Sequence, residues 1–397
     1  MVNDRAGGGT ALAPVATAAA ADGILVIVPP IIDCMVGGLP LVRRIVLAAT
    51  AAGYGQVLVR SAEVALGDGL VGTRATVLTS VSTSPIVSGR RVVLMPANVV
   101  PQARWLRALL EAPMERETLA VDHALVAVVN TDDPGAVVRT AARALDAGAL
   151  VTELRGKFAP APPPADVEAR FPIVAAGDLA RAERWLLRSL IKQREGFMSR
   201  HFERRLSLAL TRRMAGTAIT PNMMTVISAA VGLLGAMFFL SSAPVWQLTG
   251  ALLFLAHSIL DGCDGELARL RFQHSRWGAM LDFWGDNVVH VAVFLCIAVG
   301  WSWSPGAAWP LALGAIASVA TLGSAALFFG RTIEDRVEAG GVVARAVDAL
   351  GSRDFIYVVV LLSAFGKAKW FLLAAAVGAP VYLLLALWLN GRHGRVR

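Results

Sequence analysis

The stretch from Asp261 to Asp286 reads DGCDGELARLRFQHSRWGAMLDFWGD and sets four aspartates between two apolar runs. Asp261 and Asp264 are three residues apart, which places them on one face of a helix. Asp282 and Asp286 are four apart and share a face of the next helix. Carboxylates are costly in or near a bilayer, so they persist there when paired, solvated or bound to a cation. Four of them converging would repel one another unless a divalent ion neutralised them. Hard cations such as Mg²⁺ or Mn²⁺ take oxygen ligands, often together with substrate phosphates. The pattern therefore points to a metal-phosphate site at a membrane surface, with an acid-lined ion pathway of a transporter, or a satisfied acidic cluster in a non-catalytic membrane scaffold, as the competing reading.

The same residues carry a family resemblance. The spacing D-x-x-D-G-x-x-A-R, eight residues, then G-x-x-x-D-x-x-x-D resembles the signature of the CDP-alcohol phosphotransferases. All its fixed positions are present: Asp261, Asp264, Gly265, Ala268, Arg269, Gly278, Asp282 and Asp286. The likeness covers the chain from near residue 185 to its end. It implies displacement of CMP from a CDP-linked donor by an acceptor hydroxyl, forming a phosphodiester. It also implies two Mg²⁺ or Mn²⁺ ions on Asp261, Asp264 and Asp282, with Asp286 as a further ligand or as the base that takes the hydroxyl proton. Gly265, Ala268, Arg269 and Gly278 become nucleotide-site residues. Asn222 and Thr225, in a T-P-N element similar to one the family carries in that place, become candidate CDP contacts. Relatives that take a phosphorylated acceptor use basic residues near a cytosolic loop, where this chain has Arg331 and Arg353. A homodimer through the membrane domain is the expected assembly.

Composition agrees with a membrane protein. The 397 residues are 56% hydrophobic, and mean hydropathy is +0.59, high for a soluble chain. The apolar excess follows residue 220, in runs at about 222–241, 245–260, 277–300, 308–330, 355–366 and 370–389. Most approach the ~20 residues that span a bilayer. The fifth is short, yet Lys367 and Lys369 could snorkel at its end. Six helices are expected. The distribution of Lys and Arg, set against basic-free loops at 242–244 and 301–307, places both termini and the aspartates on the cytoplasmic side of an inner membrane. From Arg181 to Arg213 there are ten Lys/Arg and three Glu among apolar residues. This reads as an amphipathic helix on an anionic leaflet, so lipid rather than nucleic acid is the partner of the net charge of +8.

Four regions follow: a disordered leader at 1–22, an α/β domain at 23–180, the basic helix at 181–219, and the membrane domain at 220–397. In the second, strand-like runs at 23–28, 56–60, 91–95 and 124–130 alternate with helical ones at 39–52, 103–111 and 134–147. That alternation argues for a Rossmann-like, largely parallel sheet. The run from Val36 to Val46, VGGLPLVRRIV, resembles the stretch after the phosphate loop of sugar-nucleotidyltransferases. Fusions of such a domain to this membrane domain make their own CDP-inositol. Here the expected G-x-G-x-R loop is absent, Leu39 stands where a lysine is usual, and Met95 to Asn98 replace the metal-binding acid. A degenerate, inactive domain is expected; a bifunctional enzyme with a rearranged site on Asp33 and Asp122 is the alternative. Cys34, Cys263 and Cys296 have no metal spacing and imply a reduced compartment without disulfides.

Overall fold

The computed structural model describes residues 23–60, 70–79, 89–163, 169–175, 177–191, 202–303, 308–329 and 354–393. The leader, Arg331 and Arg353 lie outside them. The chain divides near residue 185 into two compact units.

The first unit is built on a seven-stranded sheet. Its strands are β1 (Gly23–Val28), β2 (Gln56–Arg60), β3 (Ala75–Leu78), β4 (Arg91–Pro96), β5 (Thr118–Val121), β6 (Ala127–Asn130) and β7 (Ala159–Ala161). They lie in the order β7-β5-β6-β4-β1-β2-β3. Only β6 runs against its neighbours. β1 is buried at every residue, which is why it reads as a continuous apolar run rather than an alternating one. Helix α1 (Leu41–Ala52), α2 (Ala103–Glu111), α3 (Pro134–Arg143) and α4 (Ala147–Arg155) supply the crossovers. Asp133 and Asp146 cap α3 and α4 by accepting from Ala136 N and Ala149 N at 2.9 and 2.8 Å, the usual use of aspartate at a helix start. The expected helix at 134–147 is thus two helices, separated by the cap of the second. Residues 170–172 return to pair with 99–101, and α5 (Asp178–Arg188) follows. β3, β5 and β7 were not expected: they are three or four residues long and their apolar runs are too brief to stand out.

The second unit is helical: α6 (Arg204–Met214), α7 (Pro221–Phe238), α8 (Pro244–Arg271), α9 (Arg276–Ser302), α10 (Trp309–Phe329), α11 (Phe355–Ala364) and α12 (Ala368–His393). By length and composition, α7, α9, α10 and α12 can cross a membrane. Six spans were expected; among the described residues these four have the length and composition for it. α8 has 28 residues, but its last turns carry the charges of the motif, and α11 has only 10. Thr220 caps α7 and Pro221 opens it, with Met223 N donating to Thr220 Oγ1 at 3.3 Å.

Glycines let α7 and α8 meet closely. A Cβ on Gly250 would lie 2.7 Å from the Gly235 carbonyl oxygen, and one on Gly235 would lie 3.0 Å from that of Gly250. Small residues at such crossings are how membrane helices gain packing without a hydrophobic driving force. Below them a core of Ala236, Phe254, Val289, Val293 and Leu372 locks α7, α8, α9 and α12. The basic helix α6 turns Ser207 and Thr211 inward and leaves Leu206 exposed, with Phe202 exposed just before it, the orientation a leaflet-facing helix would need.

Candidate active site

The site forms where the C-terminal end of α8 meets the N-terminal end of α9. Asp261, Asp264 and Asp282 bring carboxylate oxygens to within 4.8 Å of one another. Asp261 and Asp264 are almost fully buried. Among the described residues this is the one group of three or more His, Cys, Asp or Glu able to share an ion. Three crowded carboxylates with little water around them repel strongly. An all-oxygen donor set of this kind suits a hard divalent cation, so the residues present fit the ion that the motif implies.

Each carboxylate has support. The Thr225 hydroxyl of α7 donates to Asp264 Oδ2 and also reaches the Pro221 carbonyl. Thr225 is buried; its observed partner is the aspartate. Asn222 is exposed at the start of α7, and its Oδ1 stands 2.7 Å from where a Cβ of Gly278 would be. A side chain at 278 would therefore push into Asn222 and into the Ser275 cap of α9, whose Oγ accepts from Gly278 N at 2.9 Å. Gly265 is covered by its own helix: the Arg269 guanidinium would lie 3.2 Å from a Cβ there. Ala268 is half-buried on the same helix.

Asp286 stands outside the three-carboxylate group. Its Oδ1 lies 3.1 Å from His257 Nε2, within ion-pair reach though off the line of a hydrogen bond. His290 Nδ1 donates to the Asp286 carbonyl oxygen at 2.6 Å. His257 lies four residues before Asp261 and His290 four after Asp286, a spacing that by itself favours simple packing.

Two supports were not foreseen. Glu266, in a variable position of the motif, is 1% exposed. It accepts from Arg204 Nη1 and Ser207 Oγ on one oxygen and from Thr211 Oγ1 on the other, each at 2.7 Å. α6 is thereby fastened to the aspartate helix. Arg271 gathers four carbonyl oxygens, those of Met214, Ala215, Thr217 and Ile219, at 2.6–2.8 Å. It so fixes the turn that delivers Thr220 and Asn222. The signal in sequence was a serine and a threonine four apart among basic residues, which a membrane-surface reading of α6 does not use.

In the first unit one of the two expected substitutes for a nucleotide site, Asp122, is already engaged. Asp122 pairs with Arg170 at 3.0 Å and accepts from Ala124 N and Val126 N. Arg44 is buried and donates to the carbonyls of Val36 and Gly37; burial pushes its guanidinium down to about 10. Asp33 is exposed.

Residues 218–391 match the CDP-alcohol phosphatidyltransferase family, so the C-terminal half carries a domain of that family. A bifunctional IPC transferase and DIPP synthase of Thermococcus kodakarensis is 37% identical over 113 residues, 28% of this chain and 25% of that protein. One of the same name from Aquifex aeolicus is 28% identical over 218 residues, 53% of this chain and 48% of that protein. A CDP-diacylglycerol–serine O-phosphatidyltransferase of Mycobacterium tuberculosis is 36% identical over 98 residues, 24% of this chain and 33% of the relative. These matches span about half or less of the relatives' length.

Proposed function

We propose that this chain is an integral-membrane CDP-alcohol phosphotransferase. It would move a substituted phosphate from a CDP-linked donor to an acceptor hydroxyl and release CMP, in phospholipid or polar-lipid headgroup synthesis. The observation that carries the reading is the three-carboxylate group at motif spacing, inside a domain matched to that family.

Asp261, Asp264 and Asp282 would hold Mg²⁺ or Mn²⁺, two ions in the fullest form. Bound there, the metal offsets diphosphate charge and stabilises the attacking and leaving oxygens. The chain's own residues do the rest. Thr225 holds the Asp264 carboxylate in place. Gly265 and Gly278 keep side chains away from where the nucleotide meets backbone. Arg269 is the cation for a diphosphate oxygen, and Asn222 is the nucleotide contact at the mouth of α7. The acceptor oxygen bonds to the phosphorus distal to cytidine as the bond from that phosphorus to the CMP oxygen breaks. The hydroxyl proton passes to an Asp286 carboxylate oxygen. A phosphorylated acceptor would call on Arg331 and Arg353; a lipid hydroxyl would not.

We further propose that α8 and α11 complete six spans, that site and termini face the cytoplasm, and that the membrane domain pairs with a second copy. The first unit is proposed to be non-catalytic. Val28 leads into Pro29 and Pro30 where a phosphate loop would be, and Asp122 is already bound to Arg170. The bifunctional relatives favour the opposite reading, which pyrophosphate release from CTP decides. For the main reading, the full chain is incubated in lipid with Mn²⁺, CDP-diacylglycerol or soluble CDP-polyols, and polyol-phosphate and lipid acceptors. CMP and a matching phosphodiester should appear with at least one donor–acceptor pair; transfer without CMP would contradict it.

A further inference from the structure

Helices α8 and α9 run antiparallel, so stepping one turn back on one matches one turn forward on the other. Asp261 faces Asp282 across this seam. One turn deeper, His257 faces Asp286, with 3.1 Å between Nε2 and Oδ1. A further turn down, Phe254 meets His290 edge-on at 5.4 Å between centroids.

The His257 ring is held on several sides. It is 2% exposed. Its Nδ1 lies 2.9 Å from the Ser228 carbonyl oxygen of α7; that oxygen only accepts, so Nδ1 carries hydrogen, and Nε2, turned to Asp286, makes an attractive ion-pair contact when the ring carries its second hydrogen as well. Phe254 stacks against the ring at 6.1 Å and 19°. Room for it comes from Gly232: a Cβ there would lie 2.9 Å from His257 Cγ and 2.6 Å from Val289 Cγ1. A fixed imidazole therefore meets the one motif aspartate that does not join the three-carboxylate group. Asp286 is one turn from Asp282 on the same helix face, near enough in sequence to be drawn toward a cation held there.

We infer that His257 is a positioning residue for Asp286: it holds that carboxylate apart from the Asp261–Asp264–Asp282 group and so keeps it for the acceptor hydroxyl. The inference rests on the proposed phosphotransferase reading for its chemistry, and on the His257–Ser228–Gly232 geometry for its mechanism. The general reason is that a catalytic group displaced by about 1 Å can cost about 100-fold in rate, so an arm that fixes it is worth a buried polar residue.

The test uses the full chain in lipid, as wild type, H257A, H257Q, G232A, D286N and H257A/D286N. In H257A, kcat for CMP release should fall about 10- to 100-fold while donor KM stays within about twofold. H257Q places an amide nitrogen near the former Nε2 and should recover part of the loss. G232A keeps the histidine but removes its room and should resemble H257A. The double variant should be no slower than D286N alone, because His257 acts only through Asp286. A second readout needs no turnover: Mn²⁺ binding, followed by loss of the free ion's paramagnetic signal. Released Asp286 joins the other carboxylates, so H257A should bind Mn²⁺ severalfold more tightly, and H257A/D286N should not. Unchanged kcat in H257A, additive losses in the double variant, or Mn²⁺ affinity in H257A equal to or weaker than wild type would each overturn the inference. A wild type that binds Mn²⁺ with these differences but releases no CMP from any donor would overturn the proposed function and leave the positioning role standing.

Discussion

At the scale of single residues, the site is a set of charges that cannot be left crowded and a few positions where nothing larger fits. Asp261→Asn, Asp264→Asn or Asp282→Asn changes charge with little change of shape. Each should lower CMP release by orders of magnitude, and added Mn²⁺ should not fully restore it. Thr225→Val keeps the volume and removes the hydroxyl that holds Asp264. A smaller loss, about tenfold and partly offset by higher Mn²⁺, is the expected outcome; activity equal to wild type would separate Thr225 from the metal site. The shared helix faces of these aspartates were readable from spacing, whereas Gly278 was marked only by the family resemblance. The partner of His257 was not readable. A histidine four residues from an aspartate is more often packed than functional, and only the antiparallel register of α8 and α9 shows which carboxylate it meets.

At the scale of elements, the aspartate helices depend on two buried charges that a motif does not specify. Arg271 ties the end of α8 to the turn before α7 through four carbonyls. A charge-assisted hydrogen bond contributes about 1.5–3 kcal/mol, so Arg271→Ala should destabilise the unit by at least about 2 kcal/mol. A lowered melting temperature in detergent checks this, and Arg271→Lys, a point charge that cannot span the same carbonyls, should restore only part. Glu266→Ala leaves Arg204 half-stripped of its partner, with a cost of about 3–5 kcal/mol for a buried pair broken on one side; faster proteolysis within α6 is the readout. Thr220 followed by Pro221 is a residue pair suited to a helix start, and the fold uses it to open α7. The inward polar face of α6 was hidden, because Ser207 and Thr211 among arginines read as a solvated stripe until Glu266 is placed opposite them. Short strands such as β3 and β7 were hidden for a simpler reason: too few residues to show a period.

At the scale of the whole molecule, hydropathy separates an α/β region from an apolar one that begins near residue 220, and the chain divides into compact units near residue 185. The span count did not follow so simply, because α8 carries the acidic motif and its charges take it out of the apolar class. For the first unit the account expects silence. With Asp264→Asn in place to quiet the membrane domain, the full chain given CTP, Mg²⁺ and polyol phosphates should release no pyrophosphate; appreciable release would restore a bifunctional enzyme. The central claim, that the carboxylate group of the C-terminal unit drives transfer from a CDP-linked donor, has one direct test. CMP release is measured for wild type and Asp264→Asn in matched membranes, with equal protein confirmed and the same donor panel and Mn²⁺. The account predicts CMP in step with new phosphodiester from wild type, and at least about 100-fold less from the variant. Near-normal CMP release by Asp264→Asn would contradict it.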